Sequence, residues 1–148
     1  MALAPGDAIV QGHFSIDIDG TSIAQFTECS GGTSEFDVID YKYQTPDGKF
    51  VIAKLPGALK TPTITLKRGM TDDKKIWDWH WQGVQGNVAQ ARRNGSIIFN
   101  DSMGGELIRY NFTNGMVSKV TFGSQQAGGN SIQLEECTIV AETFELAS

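Results

Sequence analysis

The sequence predicts a mainly β protein: an antiparallel β-sandwich or partly open β-barrel with one side-packed α-helix and a long extended hairpin arm. Three observations predict it. Glycine is high, at 17 of 148 residues, which favours many turns and short strands over a helical bundle. Apolar and polar residues alternate in several short runs separated by Gly, Asn and Asp. Only one stretch, Asp72 to about Gly83, carries a convincing helical period. The length suits a single domain over residues 1–148.

Residues 1–11 contain Pro5 and Gly6 and show no period, so they read as an extended N-terminal arm. His13 to Asp19 alternates, and Asp19-Gly20 predicts a hairpin turn into Ser22 to Thr27. After Ser30-Gly31-Gly32, Glu35 to Tyr43 reads as a strand whose alternation slips from Phe36/Val38 to Ile39/Tyr41/Tyr43, which predicts a bulge near Val38-Ile39. Residues 44–60 form the protruding arm. Phe50, Val51, Ile52, Leu55 and Leu59 make it too apolar for a solvated loop, while Pro46, Gly48, Pro56 and Gly57 argue against a helix or a central strand. Each such side chain left in water forgoes roughly 1.5–3 kcal/mol of burial. Pro56-Gly57 is expected to set the turn of the arm, and Thr63 to Lys67 to return beside Glu35 to Tyr43 as the second leg of a very long hairpin.

The helix has Thr71 or Asp72 as its expected N-cap, with Asp72 and Asp73 near the positive end of its dipole. Trp77, Trp81 and Val84 share one face, so the pattern places two tryptophans in the core and leaves Trp79 for an interface. Strands follow at Gly95 to Asp101, Glu106 to Thr113 and Val117 to Phe122, the last two separated by an Asn114-Gly115 turn. Ser131 to Leu146 is the final and longest strand.

The net charge of −5 and the lack of basic runs longer than two residues argue against a nucleic-acid-binding surface. The N-terminus lacks the pattern of an export signal, and no window has the apolar length of a spanning helix, so cytoplasmic synthesis without a membrane anchor is expected. Catalytic chemistry finds little supply. His13 and His80 are isolated imidazoles. Cys29 and Cys137 read as reduced core thiols, with no metal spacing around them. Glu135, Glu136, Glu142 and Glu145 distribute over both faces of a strand and read as a solvated or interfacial surface. Gly123 to Gly129 lacks the helix and Lys-Ser/Thr of a phosphate loop. Asp37, Asp40 and Lys42 give the Phe36 to Tyr43 strand a hydrated face. The residues alone also admit a β-sandwich module binding carbohydrate or protein through Tyr41, Tyr43 and Trp79.

Several separated motifs point further. Lys54-Leu55-Pro56-Gly57, Ile64 to Gly69, a helix with Trp77 and Trp81, Arg109 to Gly115, and Leu134-Glu135-Glu136 to Ala141-Glu142 together resemble the tail tube proteins of contractile phage tails and related injection particles, from Phe14 to Leu146. The chain departs from that pattern at Met116-Val117, where the family commonly has Trp-Pro. The resemblance implies a single tail-tube domain with no cofactor and no enzymatic activity. It implies stacked hexameric rings around a lumen and a contractile sheath that drives the tube through a target envelope. The partners would be further copies, the sheath, baseplate or spike and tube-terminating proteins, and cargo or DNA in the lumen. The assembled particle would be a virion tail or an extracellular injection particle. Phe50, Val51, Ile52, Leu55, Pro56 and Gly57 would form the stacking arm, and Asp37, Asp40 and Lys42 a lumen face. A paralogue at the tube's junction with the baseplate, or a type VI secretion tube protein, is the alternative within that class.

Overall fold

The computed structural model describes residues 6–8, 13–23, 26–70, 74–101, 103–123, 126–129 and 131–147. The expected N-cap at Thr71 or Asp72 and most of the N-terminal arm lie outside them. β1 (Phe14–Ile18) and β2 (Thr21–Ile23) form the expected hairpin, and Asp19 and Gly20 both take positive φ, as its two-residue turn demands. The predicted Ser22 to Thr27 strand is divided. β3 (Phe26–Ser30) leaves its neighbour and pairs at the far edge of the sheet with a strand forty residues on, where Phe26 and Cys29 pack against the core.

β4 (Glu35–Gln44) and β5 (Phe50–Lys60) form a two-stranded sheet of their own. β6 (Thr63–Gly69) pairs with β3, so it is not the partner of β4. The long hairpin exists, but its legs are β3–β4 and β5–β6. Ser30 lies opposite Thr65 and Glu35 opposite Lys60, the same offset on both sides of a break at Gly31-Gly32 and Thr61-Pro62. Gly31, with φ +83°, has no room for a side chain, since a Cβ there would lie 2.7 Å from the Thr63 carbonyl oxygen.

The chain then forms α1 (Lys75–Val84), a short α2 (Val88–Ala91), β7 (Arg93–Asn100), β8 (Glu106–Phe122), β9 (Leu134–Val140) and β10 (Thr143–Leu146). The main sheet runs β2-β1-β7-β8-β9-β6-β3, with β10 also beside β8. All its pairings are antiparallel. Asn114-Gly115 does not end a strand. β8 continues through Asn114, whose positive φ of 50° kinks it while Asn94 Oδ1 accepts from its backbone N–H and its side chain donates to Glu142. The final strand is correspondingly split at Ala141-Glu142, where the backbone N–H groups donate to Pro62 and Thr113. β9 and β10 therefore follow the bent β8, which belongs to both halves of the sandwich.

Ile16, Ile18, Ile97 and Phe112 meet Ile64, Leu66, Val117, Cys137 and Ile139 in one core, closed by Ile76 and Trp79 of α1. Glu135 is not on the solvated face expected of it. The β6–β9 register sets it opposite Arg68, whose Nε donates to it at 3.2 Å in a nearly dry site, with the guanidinium also over the Phe26 ring. Burial of that carboxylate requires the cation beside it.

Phe112 fills space left by two glycines. A Cβ on Gly95 would lie 2.5 Å from its Cζ and 2.6 Å from the Asp17 carbonyl oxygen, and one on Gly115 would lie 2.7 Å from its Cε2. Gly95→Ala is therefore expected to lower unfolding stability by about 1–3 kcal/mol through overpacking. Urea denaturation checks this, and an unchanged midpoint contradicts the packing described.

Candidate functional site

The turn of the arm lies at Thr45-Pro46-Asp47-Gly48, where Gly48 has φ +84° and its N–H donates to Thr45 O. Pro56-Gly57 does not set it. β5 runs straight through that pair, because a bulge between Phe36 and Val38 lies beside Pro56, where a proline without an N–H is tolerated in a two-stranded sheet. Gly57 serves packing instead: a Cβ on it would lie 2.9 Å from Asp37 O and 3.1 Å from Ile39 Cγ1.

Strand alternation divides the arm into two unlike faces. On one, Ile39, Tyr41 and Tyr43 lie opposite Leu55, Ala53 and Val51, and the two tyrosine rings stack at 5.4 Å. Toward the root of the arm the same face also carries Glu35, Asp37 and Lys60. The other holds Asp40, Lys42 and Lys54 together with Phe36, Val38, Phe50, Ile52 and Leu59. Lys54 bonds Asp40 at 2.6 Å, and Lys60 lies 3.0 Å from Glu35 and 3.6 Å from Asp37. Hydrogen bonding to Glu35, with its charge, raises the Lys60 pKa. Strand alternation sets Asp37 on the opposite side from Asp40 and Lys42, because the extra residue of the bulge lies in β5, between Pro56 and Leu59, and leaves β4 regular. It also separates the predicted arm residues, with Val51 and Leu55 on the tyrosine face and Phe50 and Ile52 on the face with Asp40. Every β4 residue is exposed, and Phe50 is 82% exposed at the tip.

The helix reverses the expected tryptophan assignment. Trp79 is 2% exposed and Ile76 is equally buried, whereas Trp77 and Trp81 are 46% and 42% exposed. Trp79 donates its indole N–H to Ala91 O at 2.6 Å and lies under the Arg93 guanidinium. Gly83 faces α2, where a Cβ would lie 3.9 Å from that of Ala91, an ordinary contact distance. His80 contacts the Val117 carbonyl through Nδ1 at 2.8 Å, covering β8 beyond the point where β7 pairing ends. On the outer side Trp77 stacks on Trp81 at 5.6 Å, continued by exposed Val84 and Val88. A binding platform made from Tyr41, Tyr43 and Trp79 is thereby removed, since Trp79 lies inside the core.

Cys29 and Cys137 are free thiols. Burial raises their pKa values from 9.0 to about 11 and about 12, so at neutral pH neither is the thiolate that nucleophilic chemistry uses. Among the described residues, no group of His, Cys, Asp and Glu is placed to hold a metal ion. A shallow open depression at the arm's root is lined by Gly31, Thr33, Glu35, Lys60 and neighbouring threonines.

The fold and its uncovered surfaces agree with a family match. Residues 10–145 match the model of the T4-like virus tail tube protein gp19 family. The chain belongs to that family. This tail tube protein is a structural subunit, and its fold recurs in a sheath-tube complex of an extracellular contractile injection system, PVC, in the extended state. The two are 23% identical, with a TM-score of 0.77 over 97% of this chain and 94% of the other. A chain in the structure of the anti-feeding prophage tube-terminating cap is equally similar, at 23% identity and a TM-score of 0.77 over 100% and 96%. Hcp1 from Flavobacterium johnsoniae is more distant, at 15% identity and a TM-score of 0.54 over 91% and 94%. At these identities the likeness establishes the fold. No curated protein matches the chain significantly in sequence.

Two outcomes are expected. Trp79→Ala should cost about 3–5 kcal/mol of subunit stability, whereas Trp77→Ala and Trp81→Ala should change it by less than about 1 kcal/mol; urea titrations of the three variants measure the contrast. The thiols impose an alkaline limit. Between about pH 9 and about 11 the unfolded chain releases thiol protons that the folded chain retains, so stability falls as pH rises through that window. The decline should shrink in Cys29→Ala, measured by denaturation at several pH values.

Proposed function

We propose that the tail tube protein forms the inner tube of a contractile injection machine, as stacked six-fold rings enclosing a lumen, and that it works by assembly without catalysis. The observation that carries this reading is the apolar face of the β4–β5 arm, left uncovered on a chain of the tail tube family. An apolar face backed by one with Asp40 and Lys42 suits a wall that packs on a neighbouring copy and presents Asp40 and Lys42 to water in the lumen, with Asp37 at the root of the opposite face. Open strand edges at β2, β3 and β10 allow neighbouring sheets to join, which removes edges that would otherwise aggregate.

A contractile sheath, a baseplate or spike and a tube terminator are the further partners, with cargo or DNA in the lumen. The PVC relative comes from a sheath-tube complex, and a more distant one, at 10% identity and a TM-score of 0.73, from the anti-feeding prophage baseplate. Assembly takes place in the bacterial cytoplasm, and the finished tube belongs to a virion tail or an extracellular particle. A terminator or junction paralogue is the second reading, favoured by the likeness, over the whole chain, to a chain in the anti-feeding prophage cap structure.

Tyr41→Asp with Leu55→Asp places charge on the apolar face without touching the body. The variant should remain folded by circular dichroism yet form no tubes under negative-stain electron microscopy. Long tubes from this variant contradict the proposed role of the arm.

A further inference from the structure

Two apolar surfaces of different shape remain uncovered on each copy: the flat face of the arm and the convex ridge of Trp77, Trp81 and Val84 on α1. We propose that they cover each other between copies, the arm of one subunit seating its Ile39, Tyr41, Tyr43 and Leu55 face on the Trp77–Trp81 ridge of the next. The inference rests on the tube reading above and names the contact that builds the tube.

Size sets the first constraint. Ile39 to Tyr43 opposite Val51 to Leu55 give the arm an apolar face roughly 17 Å long and about 10 Å wide, on the order of 170 Å². A patch of that area is about a fifth of what one partner contributes to a standard stable interface, so it serves as the core of a contact and not as the whole of one. A second apolar surface on the receiving copy fits the need for cover, and the chain carries one. Shape and chemistry also match. The arm offers stacked tyrosines on a flat surface, and the ridge offers stacked indoles on a helix; aromatic groups of both types are favoured at interface cores.

Symmetry supplies the directional argument. A contact between unlike surfaces is heterologous, so every copy that has given its arm still has a free ridge, and one that has given its ridge still has a free arm. Such a contact closes into a ring or continues as a helix, whereas arm against arm or ridge against ridge stops at a dimer. The break at Gly31-Gly32 and Thr61-Pro62 lies between the arm and the body, where the hairpin pairing is interrupted without loss of register.

The test uses two single variants, Leu55→Cys and Val84→Cys, and a short bis-maleimide at neutral pH, with the wild-type chain as control for its two native thiols. Tubes assembled from a mixture of the variants should yield crosslinked dimers, and tubes of either variant alone should not. Dimers from Leu55→Cys alone would show arm meeting arm, and intact tubes with no crosslink in the mixture would likewise overturn the proposal. Should either variant fail to assemble, acrylamide quenching of wild-type tryptophan fluorescence decides. Trp79 is shielded throughout, while Trp77 and Trp81 should change from quenchable in the subunit to shielded in tubes free of any other protein. Unchanged quenching in such tubes means that the ridge faces outward, toward a different protein, and overturns the inference while leaving the tube reading intact. A wild-type chain that stays monomeric at every concentration rejects both.

Discussion

The uncovered apolar face of the β4–β5 arm is the constraint on which the rest depends. A two-stranded hairpin is at best marginal in water, and here neither face is covered by its own body. Its shape is specified within the chain, by the turn at Gly48, the bulge beside Pro56 and the missing side chain at Gly57 that lets Ile39 lie across the strand. In the proposed tube, a neighbouring copy supplies its cover. Shape without cover is an efficient arrangement for a polymer, because little conformational freedom remains to be lost when the neighbour arrives.

The body that carries the arm is built differently. β8 runs through both halves of the sandwich, and the split pair β9 and β10 bends with it, so the two halves share continuous backbone. Phe112 locks the bend by lying against Gly95 and Gly115. On the other side, β6 joins β9 through a register that buries Arg68 against Glu135, close to the Cys137 side of the core. Trp79 and His80 attach α1 to the point where β7 stops and β8 would otherwise show an edge. The helix therefore protects one edge and leaves its second apolar stripe outward.

Local rules made much of this legible. Asp19-Gly20 specified a turn through its backbone preference, and the slipped alternation after Phe36 pointed to the right part of the hairpin, although the extra residue of the bulge lies in β5, between Pro56 and Leu59, and β4 itself alternates regularly. The expectations that failed involved residues with two physical readings. Pro56 reads as a strand breaker, yet beside a bulge in a two-stranded sheet its absent N–H costs little. Asn114-Gly115 reads as a turn, yet Asn94 and Glu142 hold it as a kink within one strand. On α1 two apolar stripes compete, and Trp77, Trp81 and Val84 outnumber Ile76 and Trp79. What holds the smaller stripe inward is the acceptor that Ala91 of α2 offers to the buried indole N–H of Trp79. The pairing of Arg68 with Glu135 depends on a register between strands far apart in sequence, which periodicity cannot supply.

Amide hydrogen exchange over residues 35–60, compared between isolated subunits and assembled tubes, tests the central claim most directly. If the neighbour supplies the arm's stability, these amides exchange fast in the subunit and become strongly protected in the tube, while β7 and the first half of β8 are protected in both. Equal protection of the arm in both states would contradict the account, because the hairpin would then owe its stability to its own chain.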